Sequence, residues 1–257
     1  MPLSDIVSEE PISKNTSQKN QTNGEIFLVD VEDVSEHPLR VGEKLTYSVK
    51  IGWAPLGKRV DYIVRKTPFN GQNVYQIRSE AKTGALARIY RFQNLQFSYL
   101  NVDGLHPIYF RNQLQDRKYR AKVEINFRDK EAEYEKISQI NSKTPEKHEK
   151  KTLTIPIGTQ DELSMLYFLR RKRLAPGNTY FFPLISKGKV MKVRLKVERG
   201  DVLKTKSLGA VRTLVVQTSE GSRLWLTDDS RHIPVRIEAE MKVGKMKANL
   251  EKIESIR

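Results

Sequence analysis

The chain has 257 residues, of which 46 are lysine or arginine and 31 are aspartate or glutamate, so its formal charge is +15 at pH 7. It contains no cysteine, which excludes disulfides, a thiolate nucleophile and a thiolate-bound metal. A net positive charge of this size attracts polyanions such as nucleic acid, anionic lipid head groups or acidic glycans. Basic side chains also protect sheet edges from aggregation, so the charge does not by itself indicate such a partner.

The first 38 residues differ in composition from the rest. Residues 1–24 are rich in Ser, Asn, Gln, Thr, Lys and Glu, so they cannot bury enough apolar surface to order themselves, and acidic residues accumulate in the segment that follows. The sequence therefore predicts a flexible polar tether over 1–38, acidic towards its end, and a single domain over 39–257. The tether lacks the basic and apolar regions of a secretory signal.

Alternation of apolar and polar residues dominates the predicted domain. It is clearest in four segments, 45–51, 119–127, 191–197 and 235–241, where every second residue is apolar. This period is typical of antiparallel strands with one face on the core and one face in water. With turn residues between such segments, the sequence predicts about a dozen strands and a mainly β fold. No run reaches the ~18–20 apolar residues of a membrane-spanning helix.

One segment has helical spacing instead. Thr159 and Glu162 fit the two ends of a capping box, so we expect Asp161 and Glu162 to cap a helix over 160–173. The Pro-Gly pair at 176–177 ends this segment. The sequence therefore predicts one helix among the strands.

Four consecutive basic residues close the predicted helix, namely Arg170, Arg171, Lys172 and Arg173. Such a run is typical of a nucleic-acid or anionic-lipid patch, and it also neutralises the carbonyl end of a helix. Both interpretations stay open, and the four residues are candidate binding residues for an anionic partner.

A second candidate is the polar segment 228–232, where Asp228 and Asp229 precede Ser230 and His232. It suggests a Ser/His/Asp mechanism, but no nucleophile elbow accompanies it, and a turn between two strands explains the same residues. We keep Asp228 and Asp229 as candidate binding residues and assign no catalytic residue. The four histidines lie far apart and in no ligand spacing, so we expect no metal and no cofactor.

Several stretches carry a family resemblance when they are taken together. They include GEKLTY at 42–47, SEAKT at 79–83, DELSMLYFLR at 161–170, LWLTDD at 224–229 and IPVRI at 233–237. The chain resembles, over about residues 39–253, the bacterial family known as domain of unknown function 3108. The resemblance implies a single curved antiparallel sheet, a half-barrel or β-spiral, wrapped around one α-helix, as in periplasmic lipoprotein carriers. It implies a structural role for Gly42, Asp161, Leu166, Tyr167, Trp225 and Pro234.

The resemblance also implies a secreted or envelope protein of Gram-negative bacteria, and it implies no activity. Such proteins begin with an export signal, whereas this chain begins with the polar tether. The leading hypothesis is a non-enzymatic periplasmic or envelope protein with a binding or scaffolding role, whose basic surface meets an anionic lipid, a glycan or another envelope protein. We expect no specific nucleic acid partner.

Three other hypotheses stay open. The main alternative is a lipid or lipoprotein carrier that holds an acyl chain between sheet and helix. An enzyme acting on an envelope polymer would use Asp228, Asp229 or His232. A nucleic-acid binder would need an affinity that falls steeply with salt.

Overall fold

The computed structural model describes residues 25–34, 39–84, 91–241 and 244–256. Within that part of the chain, seventeen strands accompany one α-helix, α1 (Ser164–Arg171), and one 3₁₀ turn (Leu28–Asp30). The strands are β1 (Ile26–Phe27), β2 (Glu43–Ile51), β3 (Ala54–Phe69), β4 (Gln72–Thr83), β5 (Phe92–Asn101), β6 (Pro107–Asp116), β7 (Tyr119–Phe127), β8 (Glu131–Gln139), β9 (Lys147–Thr154), β10 (Thr179–Ser186), β11 (Lys189–Arg199), β12 (Leu203–Thr205), β13 (Gly209–Val211), β14 (Thr213–Thr218), β15 (Arg223–Thr227), β16 (Pro234–Met241) and β17 (Gly244–Ser255).

Fifteen of these strands form one sheet, in the order β1-β10-β11-β14-β15-β16-β17-β2-β3-β4-β5-β6-β7-β8-β9. All neighbours in it are antiparallel except β1 and β10, which run parallel. The remaining strands, β12 and β13, form a separate hairpin. The prediction of a mainly β, antiparallel fold is confirmed.

The sheet curves around a core that contains α1. Alternate residues of β2 face this core, because Leu45, Tyr47 and Val49 are buried while the residues between them are partly exposed. The two ends of the sheet approach each other, since Gly188 in the β10–β11 turn lies against the ring of Tyr134 on β8. Among the described residues no strand pairing joins β9 to β1, so the sheet is an open half-barrel. The predicted curved sheet around one helix is confirmed.

Gly42 leads the chain into β2 with a φ of +87°. Its N–H donates to the Ile63 carbonyl, and its own carbonyl accepts from the Ile256 N–H, both at 2.9 Å. A Cβ here would lie 2.0 Å from the carbonyl oxygen of Ile256. Glycine is therefore required both by the backbone angle and by the close approach of the neighbouring chain.

The helix is shorter than predicted at both ends, because residues 160–163 and 172–173 are not helical. Gln160 forms an isolated parallel bridge with Leu184 of β10, and its N–H donates to the Pro183 carbonyl at 2.9 Å. The backbone of Gln160 therefore makes its hydrogen bonds with the sheet, and α1 begins only at Ser164.

Asp161 caps the start of the helix. Its Oδ1 accepts from the N–H groups of Leu163 and Ser164, both at 2.7 Å. The prediction that Glu162 also caps the helix is wrong, because its exposed carboxylate accepts from the Ser186 hydroxyl at 2.6 Å.

Residues 25–34, which we call the strap, pack on the sheet and helix although the predicted tether included them. The short strand β1 pairs with β10, and Leu28 is fully buried in the core. The Val34 N–H donates to the Arg171 carbonyl at 2.7 Å, which holds the strap against the end of α1. The other tether residues, 1–24 and 35–38, lie outside the described residues.

No helix in the described part of the chain has the length and apolar character needed to cross a bilayer.

Candidate functional site

The first residue of the predicted anion-binding run, Arg170, is buried and forms an ion pair inside the protein. Arg170 has no exposed surface, and its guanidinium donates to both carboxylate oxygens of Glu43 at 2.6 and 3.0 Å and to the Arg231 carbonyl at 3.1 Å. Burial lowers the pKa of Arg170, but the Glu43 carboxylate outweighs this effect and raises it. Arg170 therefore joins α1 to β2 as a charged group.

The next three basic residues face the strap. Arg171 Nε lies 2.5 Å and Lys172 Nζ 2.9 Å from the Asp33 carboxylate. Arg173 is 65% exposed, and its Nη1 lies 3.8 Å from Glu32. An acidic segment of the chain itself thus contacts the cations that the sequence singles out.

The acidic candidates lie in the turn between β15 and β16. Asp229 accepts from the Thr227 hydroxyl at 2.7 Å through Oδ1 and from the Arg231 guanidinium at 2.6 Å through Oδ2. Burial raises the pKa of Asp229, but the hydrogen bonds from Arg231 and Thr227 outweigh it and lower the pKa. Asp228 is exposed, whereas His232 is buried, and this burial lowers the pKa of His232. None of the cavities described below is lined by these residues.

A second buried ion pair, absent from the sequence-based predictions, lies on β3 beside the helix. Asp61 is 1% exposed, and Arg59 Nε donates to its two carboxylate oxygens at 2.8 and 3.1 Å. Burial raises the pKa of Tyr47 and of Tyr167, and the negative charge of Asp61 raises both further. The two-residue spacing of Arg59, Asp61 and the buried Ile63 was the signal that these side chains share the inward face.

The motif residues implied by the family resemblance occupy structural positions. Leu166 and Tyr167 are buried inside the curve of the sheet. The Trp225 ring centre lies 5.8 Å from the guanidinium of Arg223 on the same strand and 5.4 Å from that of Arg236 on β16. The Pro234 carbonyl accepts from the Tyr47 hydroxyl at 3.0 Å, which joins β16 to β2 across β17.

Asp161 is fully buried and has a partner in the sheet as well as in the helix. Its Oδ2 accepts from the Ser98 hydroxyl of β5 at 2.7 Å. Burial raises the pKa of Asp161 from 3.8 to about 6, against the hydrogen bonds from Ser98, Ser164 and Leu163, which lower it. This carboxylate therefore links the helix start to the middle of the concave face.

An apolar-walled cavity of about 480 Å³ opens where the strap, α1 and three loops meet at one end of the sheet. We call it the loop-end cavity. Its volume falls within the ~300–1,000 Å³ typical of small-molecule sites. Its apolar walls include Val29, Ile108, Phe127, Ile155 and Phe168. Its charged lining consists of Arg128, Lys130, Lys172, Asp33 and Asp129.

The charged lining of the loop-end cavity has three cations and two anions, so it carries one excess positive charge. Lys172 is paired with Asp33, and the exposed Arg128 lies 3.0 Å from Glu133. Lys130 is exposed and makes no ion pair within the described residues. Its ammonium group is therefore available to an anionic group entering the cavity.

A smaller pocket of about 130 Å³ lies on the concave face between β17, β2, β3, β4 and β5, and we call it the inner pocket. Its lining consists of Val49, Ile51, Leu56, Lys58, Arg59, Ala81, Lys82, Phe92, Asn94, Met246 and Ala248. A further shallow cavity over β5 to β8 is lined mainly by glutamines and charged side chains. No group of three or more His, Asp or Glu side chains in the described residues is placed to hold a metal ion.

The fold and its cavities define a class of protein, an open antiparallel half-barrel that curves around one helix. The sequence model of the family described as "Protein of unknown function (DUF3108)" matches residues 46–251, and the chain belongs to this family. The resemblance seen in the sequence is thereby confirmed. No curated protein matches the chain.

A solved structure shares the fold. It is the beta-barrel-like protein of domain of unknown function DUF1849 from Brucella abortus, with a TM-score of 0.53 and 14% sequence identity, over 84% of this chain and 98% of that chain. At this identity the likeness concerns the fold alone.

Proposed function

We propose that the protein is a non-enzymatic binding protein of the bacterial cell envelope or periplasm, and that it holds an amphipathic ligand in the loop-end cavity. The observation that carries the proposal is this cavity of about 480 Å³, which combines apolar walls with a cationic rim. Burial of an apolar chain supplies affinity at about 25 cal/mol per Å². The ammonium of Lys130, which makes no ion pair within the described residues, favours an anionic head group.

The non-enzymatic part of the proposal is supported by the partners of the acidic candidates. Both oxygens of Asp229 accept hydrogen bonds inside its own turn, whereas a general base needs an oxygen within reach of a substrate. The envelope location rests on the family resemblance, and cell fractionation tests it directly.

A lipid or lipoprotein carrier is the second candidate, and the position of the loop-end cavity favours it. Phe168 of α1 and Val29 of the strap face Ile108 and Phe127 from the sheet across this cavity. A cavity of about 150 Å³ holds one benzene, so 480 Å³ has room for roughly 18 carbon atoms, about one acyl chain. A carrier of this kind would hold a single chain between sheet and helix.

Native mass spectrometry of protein purified from envelope and cytosolic fractions of its own host tests the proposal. An added mass of an acidic amphiphile in the envelope fraction supports it, and the mass of a lipid favours the carrier. Recovery only from the cytosol contradicts the envelope location. A bare mass in every fraction contradicts a resident ligand.

A charge reversal at the rim tests the site itself. We expect Lys130→Glu to weaken the binding of decanoate, measured by calorimetry, by about fivefold or more, because a charged hydrogen bond is replaced by repulsion. Lys118→Glu is the matched control, since this exposed lysine lies in the β6–β7 turn outside the lining of the cavity. Equal losses in the two variants would show that only the net charge matters.

A further inference from the structure

Three polar side chains line the concave face of two neighbouring strands, away from the loop-end cavity. Ser98 of β5 pairs with Phe110 of β6, and both are buried, so residues of the same parity on these strands face inward. Asn94 on β5 and both Asn112 and Asp116 on β6 have this parity. We call these three residues the acceptor row.

Each residue of the acceptor row has a buried oxygen without a partner. The Oδ1 atoms of Asn94, Asn112 and Asp116 make no hydrogen bond within the described part of the chain. Buried polar atoms in folded proteins almost always have partners, so three such oxygens on one surface require an explanation. A ligand that donates hydrogen bonds would be such an explanation.

The positions of these residues suit one ligand. Asn94 lies opposite Leu114, between the positions of Asn112 and Asp116 on the neighbouring strand. Diagonal neighbours on paired strands are about 7–8 Å apart, whereas Asn112 and Asp116 are about 13 Å apart along β6, so a sugar-sized head group reaches all three when it lies over Asn94. The row therefore offers several acceptors to one molecule.

The acceptor row continues directly into the inner pocket, because Asn94 lines both. At about 130 Å³ this pocket is close in size to a cavity that holds benzene, so it accepts about five or six carbon atoms. Ala81 on β4 pairs with Asn94, and Ala121 on β7 pairs with Leu114, so small side chains flank the row on either side. One ligand can place a short apolar group in the pocket and its head group on the row.

The charges around the site select the head group. An anionic head brings only acceptors to the row and meets the Asp116 carboxylate. A cationic head meets Lys58, Arg59 and Lys82, which line the inner pocket. A neutral head with several hydroxyls donates to all three oxygens and avoids both kinds of repulsion.

We propose that the concave face binds a neutral amphiphile with a polyol head group, of the sugar type, whose short apolar group fills the inner pocket and whose hydroxyls donate to Asn94, Asn112 and Asp116. This site is separate from the loop-end cavity, so it does not depend on the function proposed for that cavity.

Three probes that share a six-carbon chain test the proposal by calorimetry on the full chain, namely hexyl glucoside, hexanoate and hexylammonium. We expect hexyl glucoside to bind at least tenfold more tightly than either charged probe. Asn94→Leu and Asn112→Leu should each weaken its binding by about fivefold, the effect of one lost hydrogen bond. Asn126→Leu is the matched control, because this exposed asparagine on β7 faces outward.

Several results of these measurements would contradict the proposal. Equal binding of the three probes, tighter binding of hexylammonium or hexanoate, or no binding of hexyl glucoside overturns the proposal. An affinity for hexyl glucoside that is unchanged in Asn94→Leu also overturns it. If that variant fails to fold, Asn112→Leu and the pocket-filling Ala81→Leu make the same test. Lys130→Glu must leave the affinity for hexyl glucoside unchanged, since it alters only the loop-end cavity.

Discussion

Replacing Asp161 with asparagine should change how the stability of the protein depends on pH. The side chain is fully buried and accepts from Ser98, Leu163 and Ser164 at 2.7 Å each. Asparagine keeps an oxygen for the two backbone N–H groups, and its amide can donate to the Ser98 hydroxyl. Asp161→Asn therefore removes the charge with little change in shape.

The expected magnitude follows from the pKa of Asp161, which burial raises from 3.8 to about 6. Between these values the folded protein binds more protons than the unfolded chain, so the free energy of unfolding falls as the pH rises through this window. Below about pH 3 the group is protonated in both states and costs nothing. Above about pH 7 it is ionised in both states, and the loss reaches about 3 kcal/mol.

Urea denaturation at several pH values between 3 and 7 measures this difference. The stability of Asp161→Asn relative to the native protein should rise by about 3 kcal/mol across that range. Subtraction of the two curves removes the opposite contribution of groups such as Asp229, whose pKa is lowered. The control is Asp228→Asn, which makes the same change at an exposed site and should give parallel curves. Parallel curves for Asp161→Asn would refute the reasoning.

Three further substitutions test the packing around the helix by chemical denaturation. Leu166→Ala should lower the free energy of unfolding by about 2–5 kcal/mol, because Leu166 is 4% exposed in the core, and unchanged stability would contradict this placement. Glu43→Ala should cost about 3–5 kcal/mol, because it leaves the buried Arg170 guanidinium without its carboxylate; a loss below about 1 kcal/mol would show that water replaces it. Gly42→Ala should cost at least about 1–3 kcal/mol, because φ is +87° and a Cβ would meet the Ile256 carbonyl; a variant as stable as the native protein would disprove this strain.

Much of the sheet was predictable from sequence, because successive side chains on a strand point to opposite faces, so a buried face appears as an apolar residue at every second position. The four segments with the clearest alternation coincide with β2, β7, β11 and β16. The helix was predictable in place but not in length, because Gln160 has two ways to satisfy its backbone. Gln160 forms a bridge to the sheet rather than a helical turn because β10 lies beside it in the folded protein.

The candidate sites were less predictable, since their chemistry depends on partners distant in the chain. The basic run at 170–173 was visible in the sequence, but Glu43, which neutralises Arg170, lies 127 positions away. Asp33, which holds Arg171 and Lys172, lies in a segment whose composition predicted a tether. The loop-end cavity combines side chains from the strap, three loops and the helix.

By itself, then, the sequence determined a cysteine-free, basic, antiparallel β protein with one helix and its family, because composition and short-range periodicity carry that information. Tertiary structure alone decided which charges are buried and which cavities exist. The order in which the fifteen strands pair brings Asn94, Asn112 and Asp116 together on one face and places Ala81 beside them. Such long-range contacts leave no local pattern in the chain.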